Sequence, residues 1–96
     1  MKTTVEENAV LVGDNMYKKV LPENGTSFTY DELSKILNCK YVEGFPLTKD
    51  LVMIMDDNPV DKEVNADAVA YLQKYKHPFF PIRGRVLVTP RTYVPE

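Results

Sequence analysis

Residues 28–55 read FTYDELSKILNCKYVEGFPLTKDLVMIM, and this stretch sets the class of fold. Thr29-Tyr30-Asp31-Glu32 has the form of a capping box, in which the Thr29 hydroxyl accepts from the Glu32 amide and the Glu32 carboxylate reaches back. Phe28 before the cap and Leu33 after it have staple spacing, and Asp31 and Glu32 place negative charge where the helix dipole favours it. Leu33, Ile36 and Leu37 form the apolar stripe and Asn38 the stop, which predicts a helix over residues 30–38. Beyond it, Tyr41, Phe45 and Leu47 alternate onto one face that Glu43 interrupts, Thr48-Lys49-Asp50 is turn-length, and Leu51 to Met55 is apolar throughout. Alternation followed by a continuous apolar run predicts a hairpin whose second strand is central. Pro46 lacks an amide donor, which moves the first strand to an edge or ends it there.

Working outward, Ala9–Val12 and Met16–Leu21 are apolar-rich runs around Gly13-Asp14-Asn15, the chemistry of a hairpin or a bent strand. Residues 1–8 are polar and read as a loose segment ahead of a single domain over residues 9–96. On the other side, Asn65 caps a second helix, with Val64 and Val69 at staple spacing. Ala68, Tyr71, Leu72 and Tyr75 recur at helical spacing, and His77-Pro78 ends the run. Ile82 and Val86-Leu87-Val88 supply a last strand, limited by Pro90 and Pro95. The order is βαββαβ, an α+β class: four strands, or five with an extra one at the front, in an antiparallel or mixed sheet. Two helices and so small a sheet suggest both helices on one face, and a ferredoxin-like arrangement fits the order.

With 96 residues the chain has room for one core. It carries 12 basic and 14 acidic side chains, a net charge of −2, so no overall field selects a nucleic acid or a membrane. One Cys and one His exclude an intrachain disulfide and a structural zinc site built from Cys and His alone. The longest apolar run has five residues, far short of the roughly twenty that a membrane-spanning helix needs. A polar start and a lone Cys39 suggest a cytoplasmic protein.

Catalytic chemistry finds little to work with. Cys39 and His77 stand at the ends of different helices with no third orienting group, and a buried thiol and a helix-end imidazole are the plainer readings. Asp56, Asp57, Asp61 and Glu63 crowd one loop, but read as a calcium loop from Asp56 the pattern places Val60 and Asp61 where a ligand and a glycine belong. A solvated turn ahead of a helix explains the acids better. Gly13, Gly25, Gly44 and Gly84 are isolated, so no phosphate-binding loop can be written. No catalytic residue, metal or cofactor is expected.

Charge is unevenly spread: residues 43–67 hold seven acids and two bases, and residues 70–96 hold five bases and one acid. Those bases, Lys74, Lys76, Arg83, Arg85 and Arg91, alternate with Tyr71, Tyr75, Phe79, Phe80 and Tyr93, a composition suited to stacking on single-stranded nucleic acid. The competing reading packs these aromatics into the core. Glu43 is costly to bury unpaired, so it belongs at a rim or beside a cation such as Arg83 or Arg85. Glu43, Asp56, Asn65 and Arg85 are therefore the candidate polar cluster, with a structural salt-bridge network as its plain alternative.

Tyr41-Val42-Glu43, Asp56-Asp57-Asn58, Asn65-Ala66-Asp67-Ala68 and Ile82-Arg83-Gly84 fall in order along the chain. From Tyr17 to Val88 this layout resembles a family of small bacterial proteins of unknown function, common in phages, plasmids and other mobile elements. The family pattern has a glycine pair before its Tyr-Ile-Glu, Asp-Glu-Gly at its second motif and Gly-Asp at its last. Here Cys39-Lys40, Asn58 and Arg85 stand instead at the glycine pair, the glycine and the final acid. The resemblance implies an accessory protein of a mobile element and brings no activity, cofactor or partner. Taken together, the reading is a non-catalytic module that binds another protein, with nucleic-acid association through the basic, aromatic C-terminal third as the alternative.

Overall fold

The computed structural model describes residues 9–13, 16–78 and 80–95. The expected loose segment over residues 1–8, the turn residues Asp14 and Asn15, and Phe79 lie outside them. Seven regular elements follow in order: β1 (Ala9–Gly13), β2 (Met16–Val20), α1 (Tyr30–Leu37), β3 (Val42–Pro46), β4 (Leu51–Asp56), α2 (Ala66–Lys74) and β5 (Val86–Pro90). A short 3-10 turn at Arg91–Tyr93 comes after β5.

The five strands form one sheet in the order β2-β1-β5-β4-β3, and every neighbouring pair is antiparallel. β1 and β2 make a hairpin with Gly13 opposite Met16, and β3 and β4 make another with Pro46 opposite Val52. β5 joins the two hairpins, placing Leu87 opposite both Leu11 and Ile54. β3 is an edge strand, as its proline requires.

The capping box forms as written: Thr29 Oγ1 accepts from Glu32 N at 3.1 Å, and Thr29 N donates to Glu32 Oε1 at 3.1 Å. Asn38 closes α1 in the left-handed conformation at φ 54°. At α2, Asn65 Oδ1 accepts from Ala68 N at 3.1 Å. Val64, expected to staple that helix, is instead exposed and pairs with Arg83 in an isolated bridge.

Two expectations are corrected. The helices lie on opposite faces of the sheet. Leu33 and Leu37 of α1 pack with Leu11, Val52, Ile54 and Leu87, whereas Ala68, Val69 and Leu72 of α2 pack with Val12, Met53, Met55, Val86 and Val88. Alternation along each strand separates these sets onto the two faces. The cause is composition: β4 and β5 are buried at every position, so both faces need cover. Short helices suffice because other segments assist. Phe28 and Tyr93 meet edge-to-face at 6.0 Å beside α1, with Phe28 N donating to Tyr93 O at 2.9 Å, and Leu47 and Ile82 fill the space beside α2.

The arrangement is also not ferredoxin-like. A split βαβ unit leaves one strand between the two that its helix joins. Here α2 joins the adjacent strands β4 and β5, and α1 spans from one edge of the sheet, β2, to the other, β3.

Candidate functional site

Four chain segments converge at one end of the sheet: the end of β1, the approach to β5, the C-terminus of α1 and the N-terminus of α2. They enclose a cleft of about 520 Å³, lined among others by Gly13, Asn38, Lys62, Asn65, Gly84 and Arg85. Two of the four residues of the expected cluster, Asn65 and Arg85, therefore meet here.

Asn65 is buried, and its polar atoms all bind the fold. Besides the cap bond, Nδ2 donates to Val12 O at 3.0 Å and to Gly84 O at 2.9 Å, and its backbone amide donates to Ile82 O at 2.7 Å. Asp56 lies at the end of β4 on the α1 face, where its carboxylate receives Lys62 Nζ at 2.8 Å and the Asn58 amide at 2.8 Å. Partial burial pushes the Asp56 carboxyl upward, but the Lys62 ammonium and the Asn58 amide outweigh it and hold it below its ordinary value.

Lys62 is the residue that sequence reasoning missed. Its ammonium also donates to Leu37 O at 3.2 Å and Asn38 O at 3.0 Å, so it ties the C-terminus of α1 to the end of β4. Cations suit that helix end, where carbonyls lack intrahelical partners. Gly84, at φ +78°, lets the lysine stem lie close: a Cβ there would stand 2.6 Å from Lys62 Cδ. The only signal in the sequence is a single lysine inside an acidic loop.

Arg85 Nη1 approaches Ile36 O at 3.4 Å, and Arg83 Nη1 donates to Lys62 O at 3.0 Å. Glu43 stands apart. It is exposed on edge strand β3, opposite Met55, and by alternation it projects on the α2 face while Asp56 projects on the α1 face. It occupies a rim, one of the two expected places, and the four residues do not make a single cluster.

The basic residues also divide. Lys74 lies on α2 with Nζ 5.7 Å from the Tyr71 ring centre and 5.6 Å from that of Tyr75. Lys76 follows α2 in a left-handed conformation. Arg83 and Arg85 precede β5, with Arg85 lining the cleft, whereas Arg91 follows β5 at the opposite end, where Nε donates to Lys49 O at 2.7 Å. Six residues of extended chain place Arg85 and Arg91 roughly 20 Å apart. The aromatics part likewise: Tyr93 packs on the α1 side, while Tyr71, Tyr75 and Phe80 are half-buried on the α2 side. Phe80 is held edge-on by Phe45 at 5.4 Å.

Cys39 and His77 fall on opposite faces. Cys39 packs with the α1 cluster and its thiol points to Tyr41 O at 3.4 Å; burial first, and the Asp56 carboxylate next, push that thiol up against the opposing pull of Lys62. His77 Nε2 lies 2.6 Å from Leu47 O, and its ring meets Phe45 at 5.1 Å. No thiol–imidazole pair forms. Among the described residues, no three His, Cys, Asp or Glu side chains gather as a metal would require, and no helix is long and apolar enough to cross a membrane.

A row of aromatic side chains reaches the surface beside α2. Tyr17 of β2, 58% exposed, meets Tyr71 at 6.5 Å with the rings tilted by 46°, and Tyr71 stacks on Tyr75 at 6.5 Å and 13°. Tyr17 went unnoticed in the sequence because its role depends on β2 lying beside α2. Loss of hydration first, and the Asp67 carboxylate second, raise the Tyr17 phenol above its ordinary value. Compared with known proteins, the chain matches no family model, no curated protein and no solved structure.

Proposed function

We propose that this chain is a non-catalytic protein-interaction module that presents the row Tyr17, Tyr71 and Tyr75 to its partner. The row itself is the observation that supports the reading. Tyr17 meets Tyr71 and Tyr71 meets Tyr75, so the three form a continuous row, two of them half-buried and so held in place, with Tyr17 exposed. Tyrosine combines a large apolar ring with a hydroxyl and loses little entropy on ordering, which is why interfaces are enriched in it. At the cleft, by contrast, Asn65 and Lys62 are engaged in holding the fold together. The setting we attach is the cytoplasm, as the polar start and lone Cys39 suggest, of a bacterium, in an accessory role for a mobile element, as the sequence resemblance implies.

A tagged pull-down from bacterial lysate, with and without nuclease, tests this reading. The expected result is a protein companion that survives nuclease and is lost from the Tyr17→Ala/Tyr71→Ala variant. A companion that persists with the variant sinks the tyrosine row as the interface. Nucleic acid recovered with the wild type, and lost on mutating Lys74, would instead favour the alternative, for which the ammonium of Lys74 against two tyrosine rings is the one supporting feature.

A further inference from the structure

The two edges of the sheet differ in a way that bears on what could be added to them. β3 carries Pro46, which has no amide donor, and Glu43. β2 reads Met16-Tyr17-Lys18-Lys19-Val20, with no proline, and Tyr17, Lys18 and Lys19 are all exposed. Among the described residues, β1 is the only strand paired with it. An edge of this kind offers a row of backbone donors and acceptors to an incoming strand.

We infer that β2 is a strand-addition site for an extended, acidic segment of a partner protein. This rests on the protein-interaction reading above and names the chemistry of the partner. Lys18 lies opposite Leu11 and Lys19 opposite Val10, so their side chains project on opposite faces of the sheet. A strand laid along β2 therefore meets a cation on each face at consecutive positions, and two adjacent carboxylates complement both. A flanking apolar side chain on that strand comes opposite Tyr17, whose ring continues into Tyr71 on α2 and Tyr75 at its C-terminus. Lys74, above those rings, adds a third cation on the same side. A second copy of this chain is a poor occupant through the same edge, because antiparallel pairing of β2 with itself sets lysine against lysine.

The probe is a capped six-residue peptide, TVEEVT, whose palindromic order presents its two glutamates to Lys18 and Lys19 in either direction. Its binding is followed by NMR, on the wild-type chain and on Lys18→Glu/Lys19→Glu, with the lysine peptide TVKKVT as comparison. Two further peptides, N-methylated at alternate residues in the two possible phases, test the backbone ladder on the wild-type chain alone. The expected result is saturable binding of TVEEVT with shifts centred on the amides of Tyr17 to Val20, weakened at least about tenfold by the double charge reversal, which is 1.4 kcal/mol or more. One N-methylated phase should also abolish it. Absence of binding, equal binding of TVKKVT, or indifference to both methylation phases overturns the inference. So does displacement of TVEEVT by a single-stranded oligonucleotide that itself binds through Lys18 and Lys19. Should the peptide fail while the pull-down still loses its companion on mutating the tyrosines, strand addition falls and the interaction reading stands.

Discussion

Asn65 holds three pieces of chain with one side chain: its oxygen caps α2, and its amide bridges the carbonyls of Val12 and Gly84. Asparagine alone among the good N-caps has both the acceptor and the two donors needed. Asn65→Ala removes the cap and leaves buried carbonyls without partners, a loss of about 2–4 kcal/mol in urea unfolding. Asn65→Asp separates the two roles, since it keeps the cap acceptor and loses the donors; it is expected to be destabilised as well, which a pure capping role would not produce. Asp56 makes a pH-dependent contribution. Its folded carboxyl titrates below the unfolded one, so its stabilisation is complete above the unfolded value, about 4, and disappears as pH falls through the folded value. Urea midpoints of wild type and Asp56→Asn should therefore differ at neutral pH and converge on acidification. Parallel curves would show that Asp56 is not the group responsible. At this scale the caps Thr29 and Asn65 were legible because capping depends on neighbours three residues away. Lys62 was not, since it acts on Leu37 and Asn38, more than twenty positions earlier.

Among the elements, α1 is the shorter helix, with eight residues, and its ends are secured at both termini. Isolated helices of this length are marginal in water, so α1 depends on its caps and on the face it buries. Thr29→Ala should cost about 1 kcal/mol of unfolding free energy, whereas Glu43→Gln, on an exposed rim, should stay within about 0.5 kcal/mol of wild type in the same assay. A larger effect at Glu43 would mean that it has a partner in solution. The edge position of β3 and the interior position of β4 could be read from Pro46 and from the unbroken apolar run Leu51–Met55. The Val64 staple misled because spacing alone cannot tell a staple from a residue drawn into a bridge with Arg83.

For the whole molecule, the sheet divides the interior into two separate clusters, one under each helix. Leu37 belongs to the first and Ile82 to the second, both 1% exposed. Leu37→Ala is expected to cost about 2–5 kcal/mol and Ile82→Val about 0.5–1.5. Because they share no cluster, the double variant should equal the sum within about 0.5 kcal/mol. A coupling of 1 kcal/mol or more would mean that the strands transmit strain from one face to the other. This scale was the least legible. The α+β class follows from local pattern, but whether the sheet is antiparallel or mixed, and its strand order, depend on which of several apolar strands pair, and β1, β4 and β5 are too alike in hydrophobicity to distinguish.

The place of β5 has a consequence for how the chain is made. The hairpins at residues 9–20 and 42–56 can each close while the ribosome is still adding residues, yet each remains half a sheet with a raw inner edge. The strand that unites them, Val86–Pro90, is the last of the five to be synthesised. The growing chain must therefore carry two unpaired inner edges from the completion of β4 at Asp56 until β5 begins at Val86, and its protection against wrong pairing in that interval rests on how quickly the final strand slides between them.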